Sequence, residues 1–399
     1  MLHLTIGQCR LRIAKDWLHY QSQVGLKIFK EPIDMSLTEQ TTKVALDIRV
    51  PSPYSLKAEL PLHPVGGRFV SRARVAIRNI LLGESDKLLV VVGPCSIHEP
   101  KAALDYARRL ASLRTTLGSD LEIVMRAYFE KPRTCLGWKG FVNDPHLNES
   151  YDIEAGLRLA RQLLLEITAL GLPVATEFLD VTTHQYLSDL VSWGAIGART
   201  TESQIHREMA SGLPCAIGFK NGTDGNVKIA IDAIRSASAP HHFLAISEDG
   251  SAIRRSTAGN PSAHLVLRGG KQPNYDSRSV DLACSSLASH GLAMRIMIDA
   301  SHGNSGKFHM NQLAVCESIG SQLAAGERRI AGVMIESHLV AGNQPLNGDV
   351  PLVYGQSVTD ACVSWNDTVA VLTELAHSVR LRREAGAALT QMGAPAATV

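Results

Sequence analysis

The sequence predicts an α/β fold, a (β/α)8 barrel formed by one large domain. Eight short apolar runs follow one another from about residue 88, and segments with a periodicity of 3.6 residues separate most of them. Strands that are apolar throughout indicate a parallel sheet buried on both faces, and eight strand–helix units close naturally into a barrel. The length of 399 residues agrees, because α/β barrels often form one long domain.

The predicted strands cover residues 88–92, 123–129, 173–178, 194–198, 215–219, 264–267, 295–298 and 332–335. Between them, residues 154–170 place Leu157, Ala160, Leu164 and Ile167 on one helical face. Three further segments, 101–114, 226–237 and 308–325, have a similar helical pattern.

One β-hairpin is expected to interrupt the alternation before the sixth barrel strand. Residues 242–247 and 252–256 flank the dipeptide Asp-Gly, which is a strong hairpin-turn signal. We therefore expect an insertion in the barrel at this point.

Domain boundaries follow from composition. Residues 1–46 are expected to be a flexible N-terminal extension, residues 47–383 the catalytic barrel domain with a regulatory N-terminal segment and the hairpin, and residues 384–399 a disordered tail. The first thirty residues are poor in acids and contain five Lys/Arg, which would fit a transit peptide. We favour the alternative that this stretch precedes a natural start at Met35.

The formal net charge of +2 does not indicate binding to nucleic acid or to an anionic membrane. The chain has no apolar run of the roughly 18–20 residues needed to span a membrane. Its seven cysteines are scattered without a CxxC pair, which predicts reduced thiols and a cytoplasmic location.

Ionisable groups follow every predicted strand. The carboxyl-terminal ends of barrel strands hold the active site in this fold, so these groups are expected to meet. Each alone has an ordinary structural explanation, but a rim with so much charge and no function would be costly in desolvation and repulsion. The residues are Cys95, Arg126 with Lys131 and Arg133, Glu177, Arg199, Lys220, Arg268, Asp299 with His302, and Glu336, followed by Asp360.

Four of these residues, Cys95, His302, Glu336 and Asp360, form a sulfur, nitrogen and oxygen donor set suited to one divalent metal ion. A thiolate and an imidazole argue against Mg and Ca, whereas the carboxylates permit Mn, Fe, Co or Zn. The residues are far apart in sequence, so only the predicted barrel brings them together.

The remaining strand-end groups are mainly cations, which match phosphate and carboxylate oxygens. They exceed what one phosphate needs, so two anionic substrates, or one that carries both phosphate and carboxylate, are expected. A metal beside phosphate groups suggests Lewis-acid activation of a carbonyl, since the chain has no P-loop for phosphoryl transfer. The cations are Arg126, Lys131, Arg133, Arg199, Lys220 and Arg268.

Ten ordered motifs across residues 47–383 resemble the type I class of 3-deoxy-D-arabino-heptulosonate-7-phosphate (DAHP) synthase. The motifs are GPCSIH (93–98), RAYFEKPRT (126–134) with GWKG (137–140), DPHLN (144–148), ATEFLD (175–180), GAIGARTTESQIHRE (194–208), GFKNGTDG (218–225), LRGGKQPNY (267–275), IDASHGNSGK (298–307), ESHLVAGNQ (336–344) and YGQSVTDAC (354–362). The resemblance implies a TIM barrel that condenses phosphoenolpyruvate with erythrose 4-phosphate, the entry step of the shikimate route to aromatic amino acids.

The resemblance also implies site roles and a homo-oligomer, a dimer or a tetramer. Lys131, Glu177 and His302 are expected to be catalytic, with Lys131 as the proton donor and Glu177 positioning water. The expected ligand sets are Cys95, His302, Glu336 and Asp360 for the metal, Arg126, Arg199, Lys220 and Arg268 for phosphoenolpyruvate, and Lys131, Pro132, Arg133 and Thr134 for erythrose 4-phosphate.

Members of this family are often inhibited by an aromatic amino acid. The resemblance places an effector site near His184, Gln185 and Pro214. Familiar members often have Pro at 184 and Ser at 214, so these two differences either change the effector or are neutral loop changes. Two alternatives remain at this stage. One is a sibling 3-deoxy-octulosonate-8-phosphate synthase, against which the KPRT motif argues, and the other is a non-catalytic amino-acid sensor on a barrel that has lost its activity.

Overall fold

The computed structural model describes residues 47–346 and 350–391, so the extension predicted over residues 1–46 lies outside the described residues. The strands are β1 (Leu88–Gly93), β2 (Leu121–Arg126), β3 (Val174–Glu177), β4 (Trp193–Ile196), β5 (Ala216–Lys220), β6 (His241–Ile246), β7 (Ala252–Thr257), β8 (Ala263–Leu267), β9 (Ile296–Asp299) and β10 (Ile330–Glu336). Eight of them close into a parallel barrel in the order β1-β2-β3-β4-β5-β8-β9-β10, which confirms the predicted fold class.

Helices precede, connect and follow the barrel strands. They are α1 (Pro53–Glu59), α2 (Pro64–Leu82), α3 (Pro100–Leu117), α4 (Ile153–Ala169), α5 (His184–Leu187), α6 (Gln204–Gly212), α7 (Lys228–Ala237), α8 (Ser277–Ser289), α9 (Asn311–Ala324) and α10 (Trp365–Gln391). Proline opens α2 and α3, where its missing N–H leaves no hydrogen bond unmade. Within the described residues, no helix has the length and apolarity needed to cross a bilayer.

Most predicted element boundaries lie within three residues of the observed ones, and two of the differences have a clear physical reason. Strand β2 ends at Arg126, and the apolar residues 127–129 that extended the prediction belong to a buried loop. Helix α10 runs to Gln391, past the start of the tail predicted at residue 384. Alanine is the strongest helix former, so the Ala-rich stretch after Glu384 continues the helix. The last residues, 392–399, lie outside the described residues.

The barrel strands separate two apolar layers. Alternate side chains such as Leu89 and Val91 of β1 enter the barrel interior, while Leu88, Val90 and Val92 pack against the surrounding helices. Ile77, Ile80 and Leu81 of α2 belong to the interior cluster. Helix α2 therefore covers one end of the barrel, the end at which the strands begin.

The barrel interior is filled around one large side chain, Trp193. Its indole Nε1 donates to His264 Nε2 at 3.2 Å, and the residue is fully buried. A Cβ at Gly218 would lie 2.5 Å from the Trp193 ring and 2.6 Å from a Val266 methyl group. Glycine at 218 is therefore what leaves room for the indole.

Strands β6 and β7 form an antiparallel hairpin between α7 and the sixth barrel strand, β8. Thr257 Oγ1 lies 2.6 Å from Ser211 Oγ of α6, and the Ile246 carbonyl accepts from Gln185 Nε2 at 3.2 Å. These contacts hold the hairpin against α5 and α6.

Replacing Gly218 with Ala tests the packing of the barrel interior. The added methyl group has buried neighbours on both sides, so we expect a loss of about 1–3 kcal/mol in the free energy of unfolding. Urea unfolding followed by circular dichroism measures it. The matched control is Gly67→Ala in α2, where the nearest atom outside the helix backbone is a Leu62 methyl group at 3.9 Å. That change should be neutral or stabilise by up to about 1 kcal/mol; equal effects of both changes would contradict this packing argument.

Candidate active site

A cavity of about 560 Å³ lies at the carboxyl-terminal ends of the barrel strands. Most of the predicted functional residues line it: Arg126, Lys131, Pro132, Arg133, Glu177, Arg199, Lys220, Arg268, His302, Glu336 and Asp360. Cys95 is fully buried beneath Lys131 and does not line the cavity. Groups that follow strands all around the described barrel therefore meet at one cavity.

Three of the four predicted metal ligands form one cluster. Donor atoms of Cys95, Glu336 and Asp360 all lie within 4.8 Å of one another, and Cys95 Sγ is 3.4 Å from Asp360 Oδ2. His302 lies at the edge of this cluster, with Nε2 3.9 Å from Glu336 Oε1. Its other ring nitrogen, Nδ1, is 3.0 Å from Asp299 Oδ2 and 2.7 Å from Ser301 Oγ. Histidines that bind metals usually engage a carboxylate in this way, so the four residues fit a divalent ion.

Hydrogen bonds fix the backbone around this cluster. His302 has a φ of 58°, which is uncommon for a residue other than glycine. Asn304 Nδ2 holds the turn by donating to the Asp299 carbonyl at 2.8 Å and to the Leu267 carbonyl at 3.2 Å. Gln312 of α9 exchanges two hydrogen bonds with the Glu336 backbone, at 2.9 and 3.1 Å. Asn304 and Gln312 thereby fix the backbone positions from which the side chains of the predicted ligands extend.

Two cations of the site are paired with buried carboxylates. Arg126 Nη2 donates to Glu336 Oε1 at 2.8 Å and to the Cys95 carbonyl at 3.1 Å, and the guanidinium stacks on the Tyr128 ring at 3.6 Å. Lys220 Nζ donates to Asp299 Oδ2 at 2.8 Å. Burial opposes the ionised form of Asp299, but the neighbouring Lys220 ammonium outweighs it and holds the pKa of Asp299 well below its usual range. Asp299 is therefore ionised at neutral pH.

Arg199 and Arg268 form no ion pair within the part of the chain that the structure describes. Burial lowers the pKa of Arg268, and the positive charge of nearby Arg199 acts in the same direction. Two guanidinium groups that repel each other in one cavity are stabilised by an anion between them. This half of the cavity is therefore suited to phosphate or carboxylate.

Several further residues that sequence reasoning did not single out also line the cavity, among them Thr223, Lys271, Lys307 and His309. A signal existed for the two lysines, because Lys271 and Lys307 close the motifs LRGGK and NSGK. They are the first cations after two Gly-rich turns. Their presence increases the positive charge available to an anionic substrate.

Lys131 links the metal-ligand cluster to the cavity. Its Nζ donates to Cys95 Sγ at 3.0 Å and lies 3.6 Å from Asp360 Oδ2. Burial opposes the charged form, but the Cys95 sulfur and the Glu336 and Asp360 carboxylates outweigh it and raise the pKa of Lys131 above its ordinary value. Burial and the neighbouring Glu336 raise the pKa of the Cys95 thiol to about 11. At neutral pH the pair is therefore an ammonium beside a thiol.

Glu177 ends β3 and lines the cavity. A Cβ at residue 197 would lie 2.2 Å from Glu177 Oε1, so Gly197 leaves the space that this carboxylate occupies. Gly197 of the GAIGAR motif therefore allows the Glu177 side chain to occupy its position.

Arg133 and Thr134, two predicted contacts of erythrose 4-phosphate in the 131–140 loop, differ in whether they line the cavity. Arg133 lines the cavity and its Nε donates to the Trp138 carbonyl at 2.8 Å. Thr134 is exposed and does not line the cavity. A role for Thr134 in substrate contact stays a prediction.

The predicted effector residues lie beside the hairpin. Gln185 Nε2 is 3.0 Å from His184 Nε2 and donates to the Ile246 carbonyl at 3.2 Å. Burial, followed by the charge of Arg255, lowers the pKa of His184 to about 4, so its ring is neutral at physiological pH. Pro214 is exposed ahead of β5. None of these three lines the cavity at the strand ends.

Glu130 is a buried acid that sequence reasoning did not single out. Its carboxylate accepts from Thr183 Oγ1 at 3.2 Å and from the Asp180 backbone N–H at 3.5 Å. Burial, together with the negative charge of Asp180, raises the pKa of Glu130 to about 8. Glu130 thus connects the loop that carries Lys131 to the loop that leads to His184.

Comparison with known proteins gives consistent matches. Residues 61–373 match the model of the DAHP synthetase I family. A Phe-sensitive phospho-2-dehydro-3-deoxyheptonate aldolase of Escherichia coli K12 is 55% identical over 331 residues, which cover 83% of this chain and 95% of that protein. A Trp-sensitive one of the same organism is 51% identical over 348 residues, 87% of this chain and 100% of that protein. The solved structure of the aldolase from Francisella tularensis SCHU S4 has a TM-score of 0.84 at 50% identity, covering 85% of this chain and 99% of that chain.

Replacing Glu130 with Gln tests the buried acid. The unfolded chain loses this proton near pH 4.5, whereas the folded protein keeps it to about pH 8. The native state therefore loses stability as pH rises across this window. Urea unfolding at several pH values should show a smaller decline for Glu130→Gln. The control is Glu317→Gln, at an exposed position of α9. If the free energy of unfolding of both variants depends on pH as it does in the wild type, Glu130 is not the group responsible.

Proposed function

Because the chain belongs to the DAHP synthetase I family, we propose that it condenses phosphoenolpyruvate with erythrose 4-phosphate to form DAHP and inorganic phosphate. This is the first step of the shikimate pathway to the aromatic amino acids. One observation supports the proposal: a cluster of Cys95, Glu336 and Asp360 that could hold a metal ion lies beside a cavity with two guanidinium groups that have no carboxylate partner among the described residues. That arrangement suits two phosphorylated substrates, one of which presents a carbonyl.

Cys95, His302, Glu336 and Asp360 would hold one divalent metal ion. The test of fit is the donor set itself, since three donors already lie within 4.8 Å of one another and the fourth, His302, engages Asp299 through its other nitrogen. When bound, such an ion supplies Lewis-acid polarisation of the aldehyde oxygen. The mixed sulfur, nitrogen and oxygen donors favour Mn, Fe, Co or Zn over Mg or Ca.

Arg199, Lys220 and Arg268 are proposed to hold phosphoenolpyruvate, with Arg126 at its inner edge. Arg126 and Lys220 are already fixed by Glu336 and Asp299, so their positions are set before the substrate arrives. Arg199 and Arg268 would supply the charge that the carboxylate and the phosphate require. Holding both substrates in place supplies a proximity effect that reaches about 7–11 kcal/mol in well-oriented systems. Lys131, Pro132 and Arg133, which also line the cavity, would contact erythrose 4-phosphate.

Lys131 is proposed as the proton donor. As C3 of phosphoenolpyruvate forms a bond to the aldehyde carbon, negative charge develops on the aldehyde oxygen, and the Lys131 ammonium can deliver a proton there. The carboxylates around Nζ keep that ammonium charged until the acceptor becomes basic enough. Its hydrogen bond to Cys95 also ties the proton donor to the metal-ligand cluster.

Glu177 is proposed to position the water that completes the reaction. Water adds at C2 of the condensed intermediate, where cationic character has developed, and its proton goes to Glu177 or to the substrate phosphate. The C–O bond to phosphate then breaks and inorganic phosphate leaves. Glu177 lines the cavity beside Gly197, whose missing side chain gives the carboxylate room.

Feedback inhibition by an aromatic amino acid is a further part of the proposal. Relatives named Phe-sensitive and Trp-sensitive support this class of effector without selecting one. The hairpin β6–β7, Gln185 and His184 would form part of that site, because Gln185 bonds the hairpin backbone. Burial keeps His184 neutral, so it would present a polar but uncharged surface to the effector.

The experiment that tests the function is a steady-state assay of phosphate release. Metal-stripped protein should be inactive with phosphoenolpyruvate and erythrose 4-phosphate, and Mn, Fe, Co or Zn should restore turnover because the aldehyde needs a Lewis acid. Arabinose 5-phosphate in place of erythrose 4-phosphate should give little product. A preference for the five-carbon aldehyde would identify the sibling enzyme, and absence of turnover with every metal would favour the sensor. Parallel assays with Phe, Tyr and Trp identify the effector.

Replacing Lys131 with Met tests the proton donor. A methionine keeps the apolar stem but has no proton to deliver, so kcat should fall by about 10²–10⁴-fold. The bound metal, measured by elemental analysis, should stay near the wild-type level. Lys139→Met in the same loop is the matched control, since Lys139 is exposed and does not line the cavity. Retained turnover in Lys131→Met would remove Lys131 from this role.

A further inference from the structure

A second cavity, of about 300 Å³, lies at the opposite end of the barrel from the candidate active site. It is lined by residues that precede three barrel strands: Ser85 and Asp86 before β1, Arg295 before β9 and Arg328 before β10. Helix α10 closes it with a further pair of arginines, Arg382 and Arg383. We refer to this cavity with its four arginines as the arginine pocket.

The charge of the arginine pocket is only partly balanced. Asp86 is the single carboxylate among its lining residues, and it pairs with Arg383 at 2.6 Å. Within residues 47–346 and 350–391, no ion pair includes Arg295, Arg328 or Arg382. Three guanidinium charges therefore face one cavity without a carboxylate partner among the described residues.

Backbone carbonyls occupy some of the guanidinium N–H groups but do not neutralise the charge. Arg295 donates to the Ile80 carbonyl at 2.7 Å and to the Arg328 carbonyl at 2.7 Å. Arg382 donates to the carbonyls of Glu327 and Asp86. These contacts orient the two arginines, so the pocket is built before any ligand arrives.

Burial makes the unbalanced charge costly. Arg382 is only 6% exposed, and Arg295 Nε is buried with no hydrogen-bond partner among the described residues. Burial and then the nearby Arg295 charge lower the pKa of Arg382 to about 10, which outweighs the opposite effect of the Asp86 carboxylate. Desolvated like charges are unfavourable unless an anion offsets them.

Helix α10 contributes a glycine, Gly386, to the lining of the arginine pocket. A Cβ at Gly386 would lie 2.5 Å from Arg328 Nη2, so a larger residue would displace that guanidinium. Glycine inside a helix costs roughly 0.5–1 kcal/mol relative to alanine. Glycine at 386 therefore leaves the end of the flexible Arg328 side chain where it lies.

We propose that the arginine pocket is a binding site for a small polyanion that carries two phosphoryl groups. Guanidinium groups bind phosphate oxygens bidentately, and one phosphoryl group carries only about −1.5 to −2 charges. Two such groups balance the three arginines. A volume of about 300 Å³ is at the small end of ligand cavities, which fits a compact diphosphate.

Calorimetric titration of the full-length chain with pyrophosphate tests this assignment. The candidate active site is itself cationic, so wild-type protein should show two binding events. Arg328→Ala should weaken one event at least tenfold, whereas Arg199→Ala should weaken the other. Arg328 is exposed, so its truncation leaves the folded core unchanged. The control is Arg235→Ala, an exposed arginine of α7 that lines neither cavity and should leave both events unchanged.

Thermal unfolding supplies a second readout. Pyrophosphate should raise the Tm of Arg199→Ala and should not raise that of the double variant Arg199→Ala/Arg328→Glu. Loss of all pyrophosphate binding in the single variant Arg199→Ala would overturn the proposal. A pyrophosphate titration of Arg328→Ala that matches the wild-type titration would also overturn it. Inorganic phosphate should bind the pocket at least tenfold more weakly than pyrophosphate; equal affinities would overturn the assignment to two phosphoryl groups.

Discussion

The buried ion pairs at the carboxyl-terminal end of the barrel are the interactions on which the site depends. Arg126 and Glu336 are 1% and 2% exposed, and Lys220 and Asp299 are similarly enclosed. An unpaired charge in such a position would cost several kcal/mol, so each carboxylate needs its cation. The pairs fix the strand ends β2, β5, β9 and β10 to one another by charge as well as by the sheet. The cavity is therefore rigid where a metal and two anions would have to be held in register.

Close backbone contacts complete that rigidity. A Cβ at Gly269 would lie 2.4 Å from the Gly303 carbonyl carbon, and one at Gly270 would lie 2.3 Å from the Gly225 backbone nitrogen. These three Gly-rich turns follow β8, β9 and β5, so the loops around the cavity touch through their main chains. Side chains at these positions would separate the loops and move the cations they carry, including Arg268. The glycines of the motifs thus position charges that lie several residues away.

Much of this arrangement is readable from the sequence, because the first polar residue after each apolar run marks the end of a barrel strand. That rule places Arg126, Glu177, Lys220 and Glu336 around one cavity. It fails where an environment is assembled from separate loops: the pKa of Glu130 depends on Asp180, fifty positions away along the chain. Nor does the rule show that α2 covers one barrel end, or that β2 ends before the buried run 127–129, since apolar loops and apolar strands have the same pattern.

The cations at the two ends of the barrel differ in how their charge is balanced. At the carboxyl-terminal end, Arg126 and Lys220 are neutralised by Glu336 and Asp299, and Lys131 lies beside Asp360. At the amino-terminal end, residues of α/β barrels usually contribute to stability, and paired arginines such as Arg383 with Asp86 fit that expectation. Arg295 and Arg382 do not, because buried guanidinium groups without carboxylate partners in the described chain oppose stability. Sequence inspection overlooked them for a physical reason: they precede strands or lie on the last helix, outside the strand ends where catalytic groups collect. A cost of this kind at a site remote from the chemistry is offset only when an anion is bound, so occupancy of the arginine pocket would couple folding stability to the concentration of its ligand.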